Sequence, residues 1–365
     1  ASAVLLFFLF GSAGFLLAAV ASTAGVQTIA VFRTPQRAFF GSLLLSALVV
    51  GSLFLAVVTV QRATAATLLQ RAANAPLAAG DRTAQRSAFM AKLLRVHAFF
   101  PTDVSARAIA QLARADFVDR LSTVTKDNAD ALRPQLQAAF NGTVQFARLA
   151  TELAPSMDDH WAFLGSTYHA AAGIVDGADR FALDAYTEAQ QRNPTNPTYA
   201  IAMAQVRILE ADRKLLPQDQ AFAAAEHALA LALRLKPDST DAHLLLAQVY
   251  DREGKLDDAI AKAKDALRQY PNDVSALFTL GALTYKKGDT ATARGAFVRA
   301  LAVSPNYANA RYFLGLIAEK DGDTAEAIRQ YQAILETNPE SKDVKDRLDR
   351  LTTSPVAPSA TTGSR

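Results

Sequence analysis

The chain has 365 residues, half of them hydrophobic and a fifth charged, with 38 Lys and Arg against 35 Asp and Glu. That balance fits an ordered, packed chain, and the scattering of its charges excludes the basic stripe with stacking aromatics that a nucleic-acid surface requires. With no cysteine, a disulfide framework, a thiol nucleophile and a thiolate metal site are excluded as well.

The averages conceal an apolar start. No charged residue occurs from Ala1 to Phe32 or from Ala38 to Val60, and only RTPQR (Arg33 to Arg37) separates the two runs. A helix crosses the hydrocarbon core of a bilayer with roughly 20 apolar residues, so residues 1–61 read as two transmembrane helices, over about 3–32 and 38–60. A buried soluble hairpin, or a cleaved signal plus one anchor, is the competing reading. The first run lacks the initiator Met, basic n-region and short h-region of a secretory signal. A chain that opens inside an apolar run is expected to be part of something longer. Arg33 and Arg37 in the short loop are matched in number by Arg62 and Arg71 after the second span. Their density in the loop favours a cytoplasmic loop, which places the rest of the chain on the extracytoplasmic side.

Residues 62–155 read as an irregular helical connector. Helical apolar spacing covers Arg86 to Phe100, Asp103 to Leu121 and Gln135 to Leu153, and FFPTD (Phe99 to Asp103) has the form of a junction between helices.

From there the chain repeats. Pro237, Pro271, Pro305 and Pro339 are each 34 residues apart, preceded by Pro155 and Pro194 at intervals of 39 and 43. In register with them recur Leu246-Ala247, Leu280-Gly281 and Leu314-Gly315, then Gly254, Gly288 and Gly322, then Ala259, Ala293 and Ala327. Each residue type has a task in a helix–turn–helix unit. The glycine beside the leucine lets a second helix approach, with the small alanine expected opposite it; the turn glycine caps the first helix. Asp323 and Glu326 have the spacing of a capping box. The surplus of the two long intervals is assigned to turns near Ala171 to Gly177 and Asp212 to Gln218.

With this period and these residues the chain resembles the tetratricopeptide repeat family, whose signature begins W-x2-L-G-x2-Y and is matched by Trp161, Leu164, Gly165 and Tyr168. The resemblance covers roughly Asp158 to Ser341 and makes Trp161, the one tryptophan, a piece of repeat core. The expected fold is therefore all-α: a transmembrane hairpin, then an α-solenoid, a right-handed superhelix of helix pairs with about five units over 156–341. A charged capping helix follows over 342–352, and 353–365 has the composition of a disordered tail.

No chemistry is legible in this chain. His97, His160, His169, His227 and His243 have no zinc-ligand spacing, Asp158 and Asp159 sit where a helix start favours acids, and no phosphate loop or nucleophile elbow occurs. The expectation is a non-enzyme without catalytic residues, metal or cofactor, although a longer parent protein could be otherwise. The order of parts, with ATELAPSMDDHWAFLG, NPTNPTYA and SPNYANARYFLGLIAEKDGD in the repeats, is similar to the C-terminal part of bacterial O-antigen ligase or polymerase-like membrane proteins with repeat tails. That resemblance implies a bacterial inner membrane location and a docking or regulatory tail, with the glycosyl-transfer residues upstream. None of those residues can be carried onto this chain.

The docking tail is the alternative; the first reading, which the repeats alone support, is a membrane-anchored scaffold in an envelope assembly. Its partners would be a protein or peptide, an apolar or helical segment, together with the lipid bilayer, and no nucleic acid. In stacked repeats the first helices line the concave face, which assigns a groove to Leu244, Gln248 and Asp251, then Phe278, Ala282 and Tyr285, then Tyr312, Leu316 and Glu319. Some of these are equally suited to packing between repeats. The Lys and Asn with which family members clamp a terminal carboxylate are absent there.

Overall fold

The computed structural model describes residues 35–73, 82–99, 101–125 and 127–353. These form fifteen helices and no strand, and the chain divides into two compact bodies, Ala1–Ala154 and Pro155–Arg365.

The N-terminal body opens with α1 (Pro35–Ala73), which continues well beyond the expected end of the second span near 60. Within it Ser46–Thr64 is long and apolar enough to cross a membrane, with a mean hydropathy of 1.7 and none of it buried. The hydroxyls of Thr59 and Thr64 donate to the carbonyls of Leu55 and Val60 at 2.7 Å, so these polar groups are satisfied within the helix. The expected first span, 3–32, lies outside the described residues. Helices α2 (Arg82–Phe99), α3 (Asp103–Ser122) and α4 (Ala129–Leu153) follow. Thr102 caps α3 in a reciprocal box with Ser105, whose Oγ also lies 2.7 Å from Nδ1 of His97. Helix α4 starts before Pro134 and takes the proline inside, where sequence reading begins the helix after it; the ring costs the ladder one backbone bond without ending it.

The C-terminal body is a succession of helix pairs: α5 (Asp158–Ala171) with α6 (Ala178–Arg192), α7 (Pro197–Asp212) with α8 (Gln218–Leu235), and α9 (Thr240–Arg252) with α10 (Leu256–Gln269). Then come α11 (Val274–Lys287) with α12 (Thr290–Val303), α13 (Ala308–Asp321) with α14 (Thr324–Thr337), and a single α15 (Lys342–Thr353). Asn196, Ser239 and Asp273 accept backbone N–H groups at the starts of α7, α9 and α11. Gly288 and Gly322 end α11 and α13 with φ of 93° and 79°, a conformation in which a Cβ is strained.

Several sequence expectations are corrected here. What sits opposite the helix-face glycine is an aromatic ring rather than the small alanine. A Cβ on Gly281 would lie 2.5 Å from Phe297, one on Gly315 2.5 Å from Tyr331, and one on Gly165 2.8 Å from Tyr186. Each ring comes four residues after the repeat alanine, because the next turn of the second helix faces the close approach. In the third repeat Ala247 stands in the glycine's place and Ala263 in the ring's, so the two positions exchange size.

The surplus length also falls differently. In the first repeat it lies in loop 172–177, but in the second much of it lengthens α7 and α8 to 16 and 18 residues, against 14 and 14 for α11 and α12. The capping box of α14 forms by half. Asp323 accepts the N–H of Glu326 at 3.0 Å, whereas its own N–H is already given to the carbonyl of Ala318, so Glu326 turns to Arg329 and Gln330.

Trp161 is half-buried at a repeat junction, not in the core. Its indole N–H donates to the carbonyl of Pro155 at 3.1 Å, and the Arg192 guanidinium lies 4.4 Å over its ring. A nitrogen from the same place in other repeats meets the equivalent carbonyl: His243 Nε2 lies 3.0 Å from that of Pro237, and Arg311 Nη2 donates to that of Pro305 at 2.7 Å. Where that place holds Leu277, Arg299 of the second helix donates to Pro271 instead, at 2.6 Å.

Candidate interaction groove

The first helices α7, α9 and α11 enclose a trough of about 510 Å³, within the size range of ligand clefts. Of the nine sequence-assigned positions, Leu244, Gln248, Asp251, Phe278 and Ala282 line it, whereas Tyr285, Tyr312, Leu316 and Glu319 do not. All nine are half-buried. The trough further takes in Gln205, Asp241, Ser275 and Thr279, which the sequence reading missed. A signal for Gln205 was present: it precedes Gln248 by 43 residues, as Pro194 precedes Pro237.

The groove positions beyond Ala282 have other tasks. Tyr285 stands edge-on to Phe313 with ring centroids 5.4 Å apart, in a cluster where Phe278 meets Phe297, Tyr307 and Phe313 at 5.5–5.9 Å. Phe278 thus serves both the wall of the trough and the packing between repeats. Tyr312 and Glu319 are engaged by α15: the Tyr312 hydroxyl donates to Asp343 at 2.6 Å, and Arg347 reaches Tyr312 and Glu319 at 3.1 and 3.3 Å. The buried Tyr331 also donates its hydroxyl to Glu319. Burial, first, and the carboxylate it faces raise the Tyr331 hydroxyl above the ordinary tyrosine range. The charged terminal helix therefore closes the array through the very positions expected to be open.

Electrostatically the trough is acidic. Asp241 and Asp251 line it, without any Lys or Arg; Lys286 lies 2.7 Å from Asp251. Beyond it, Asp158 is not a lone helix-start acid. It accepts the hydroxyl of Tyr199 at 2.6 Å and the amide of Asn193 at 2.8 Å, which hold its carboxyl below the ordinary range and stitch the first repeat to the second. Glu210 on α7 is 2% exposed. Burial pushes its carboxyl up, against the pull of Arg207 at 2.9 Å.

A stack of antiparallel helix pairs whose first helices build one trough defines a helical repeat protein of the interaction type. More particularly, the chain contains tetratricopeptide repeats: the family of that description matches residues 218–274 and 278–342. Solved structures similar to the chain include TTC0263, a thermophilic TPR protein in Thermus thermophilus, at 21% identity, 54% of this chain, 99% of that one and a TM-score of 0.40. YrrB, a TPR protein with an unusual peptide-binding site, shows 16% identity over 56% of this chain and 97% of that one, with a TM-score of 0.41. Pseudomonas aeruginosa PilF shows 17% over 66% and 99%, with a TM-score of 0.44. No curated protein matches the chain, and no catalytic family is indicated.

Proposed function

We propose that the chain is a membrane-anchored scaffold of a bacterial envelope, in which the repeats hold a segment of a partner protein against the trough. The observation that carries the binding half is a trough whose wall, Leu244 and Phe278, is half-exposed and apolar while its rim is polar, the make-up of an interaction site. The anchoring half rests on Ser46–Thr64, apolar and unburied, which suits lipid as its solvent. Placement of the repeats on the extracytoplasmic side follows the loop arginines, and inner-membrane location follows the family resemblance. The similarity to repeat tails of O-antigen ligase or polymerase-like proteins supplies a narrower form, a docking tail for a glycan-assembling membrane enzyme, and predicts further membrane segments in sequence upstream of Ala1.

A photo-crosslinking residue placed at Gln248, in the trough, and separately at Val298, exposed on α12, tests the reading in cells. Adducts from Gln248 and none from Val298 are expected, in a membrane fraction that resists alkaline carbonate. Adducts confined to Val298 sink the groove, and extraction by carbonate sinks the anchor. Single cysteines at Thr34 and Ser359 should label from opposite faces, Ser359 by an impermeant reagent in intact cells; labelling of Ser359 only after lysis reverses the topology.

A further inference from the structure

The chemistry of the trough is specific enough to describe its occupant. Gln205 on α7 and Gln248 on α9 hold equivalent places in consecutive first helices, both line the trough, and neither amide is hydrogen-bonded among the described residues. A primary amide offers two donors and an acceptor, the complement of a peptide group. Asp241 beside them is exposed and has no ion pair among the described residues. Asp251 is met by Lys286 at the edge. Leu244, Phe278 and Ala282 supply the apolar wall. An acid in the first turn of α9 is favourable for the helix on its own account, so Asp241 alone indicates nothing. Its conjunction with two unmatched amides, an apolar wall and a lining without cations indicates a ligand.

Resting on the groove reading above, we propose that the trough receives an extended peptide segment carrying a lysine or arginine beside an apolar residue. Gln205 and Gln248 pair with its main chain, Leu244 and Phe278 take the apolar side chain, and Asp241 takes the cation, Asp251 being held by Lys286. The amides favour an extended occupant over the helical one that the sequence allows, because a helix satisfies its own N–H and C=O groups and offers the glutamines no main-chain partner. Asp241 decides against a purely apolar one, since seating it would desolvate that carboxylate without a partner.

The test uses the full chain in detergent micelles on an array of heptapeptides whose three central positions run through all residue types. Bound sequences are then titrated as fluorescein-labelled peptides by anisotropy. Lys or Arg next to Leu, Ile or Phe should be selected. Asp241→Lys should lower affinity about tenfold, the size of one charge-assisted hydrogen bond, and exchange the preference for Asp or Glu. Gln205→Ala with Gln248→Ala, and N-methylation of a bound peptide, should each weaken binding whatever the side chains, with circular dichroism unchanged. Selection of acidic or uncharged sequences that Gln248→Arg still abolishes would overturn the basic extended segment and leave the groove standing. Binding indifferent to every trough variant, or no selection at all, would overturn both.

Discussion

Replacing Gly281 by alanine tests how the repeats are held together, because the consequence changes sign with one neighbour. The new Cβ would lie 2.5 Å from the Phe297 ring, which is 0% exposed and has packed neighbours around it. Overpacking of this kind costs about 3 kcal/mol at the upper end, and alanine regains about 1 kcal/mol of helix propensity over glycine. The net is a destabilisation of about 2 kcal/mol. Phe297→Ala alone empties a buried aromatic site at a cost of about 4 kcal/mol. In that background Gly281→Ala meets no ring and should stabilise by about 1 kcal/mol, which rebuilds the small–small pairing that Ala247 and Ala263 already have in the third repeat. The coupling across the cycle is then about 3 kcal/mol, within the range of residues in contact. Since a solenoid opens locally, hydrogen-exchange protection of the α11 and α12 amides reads the effect better than one global melt. Additive single and double variants, or a Gly281→Ala chain as protected as wild type, would refute the close-approach argument.

Trp161→Ala should cost about 2 kcal/mol, half the usual loss for a buried aromatic because the ring is half-exposed. Trp161→Phe should cost about 1 kcal/mol by removing the bond to Pro155, both read by thermal melting; a Phe variant as damaging as Ala would mean that the hydrogen bond, not the ring, does the holding. For Glu210, burial raises the folded pKa above the unfolded one, so its contribution to stability is whole below the ordinary glutamate value of about 4.3 and is lost as pH rises through the raised value. Glu210→Gln should therefore be more stable than wild type at pH 8 and should converge with it near pH 4 in urea titrations, about where free glutamate titrates; a constant difference across that range would contradict the buried-acid account.

The sequence by itself determined the period, the junctions and the identity of the unit. Proline, the turn glycine and the Leu-Gly pair act within a few residues, through φ restriction, left-handed caps and a stripe on one helix, and local constraints are visible locally. Part of the trough's lining was legible for the same reason: register alone brings Leu244, Gln248, Asp251, Phe278 and Ala282 to one face. What register could not supply is which equivalent positions remain available, because that depends on what the neighbouring helix brings. Tyr312 and Glu319 have the places of Phe278 and Tyr285 one repeat later, yet α15 arrives there with Asp343 and Arg347 and occupies them. Trp161 fits the family signature and still ends at the junction, since Pro155 presents its carbonyl to the indole and Arg192 covers the face of the ring. Pairings between side chains on different helices are set by packing in space, and only the tertiary structure decides them.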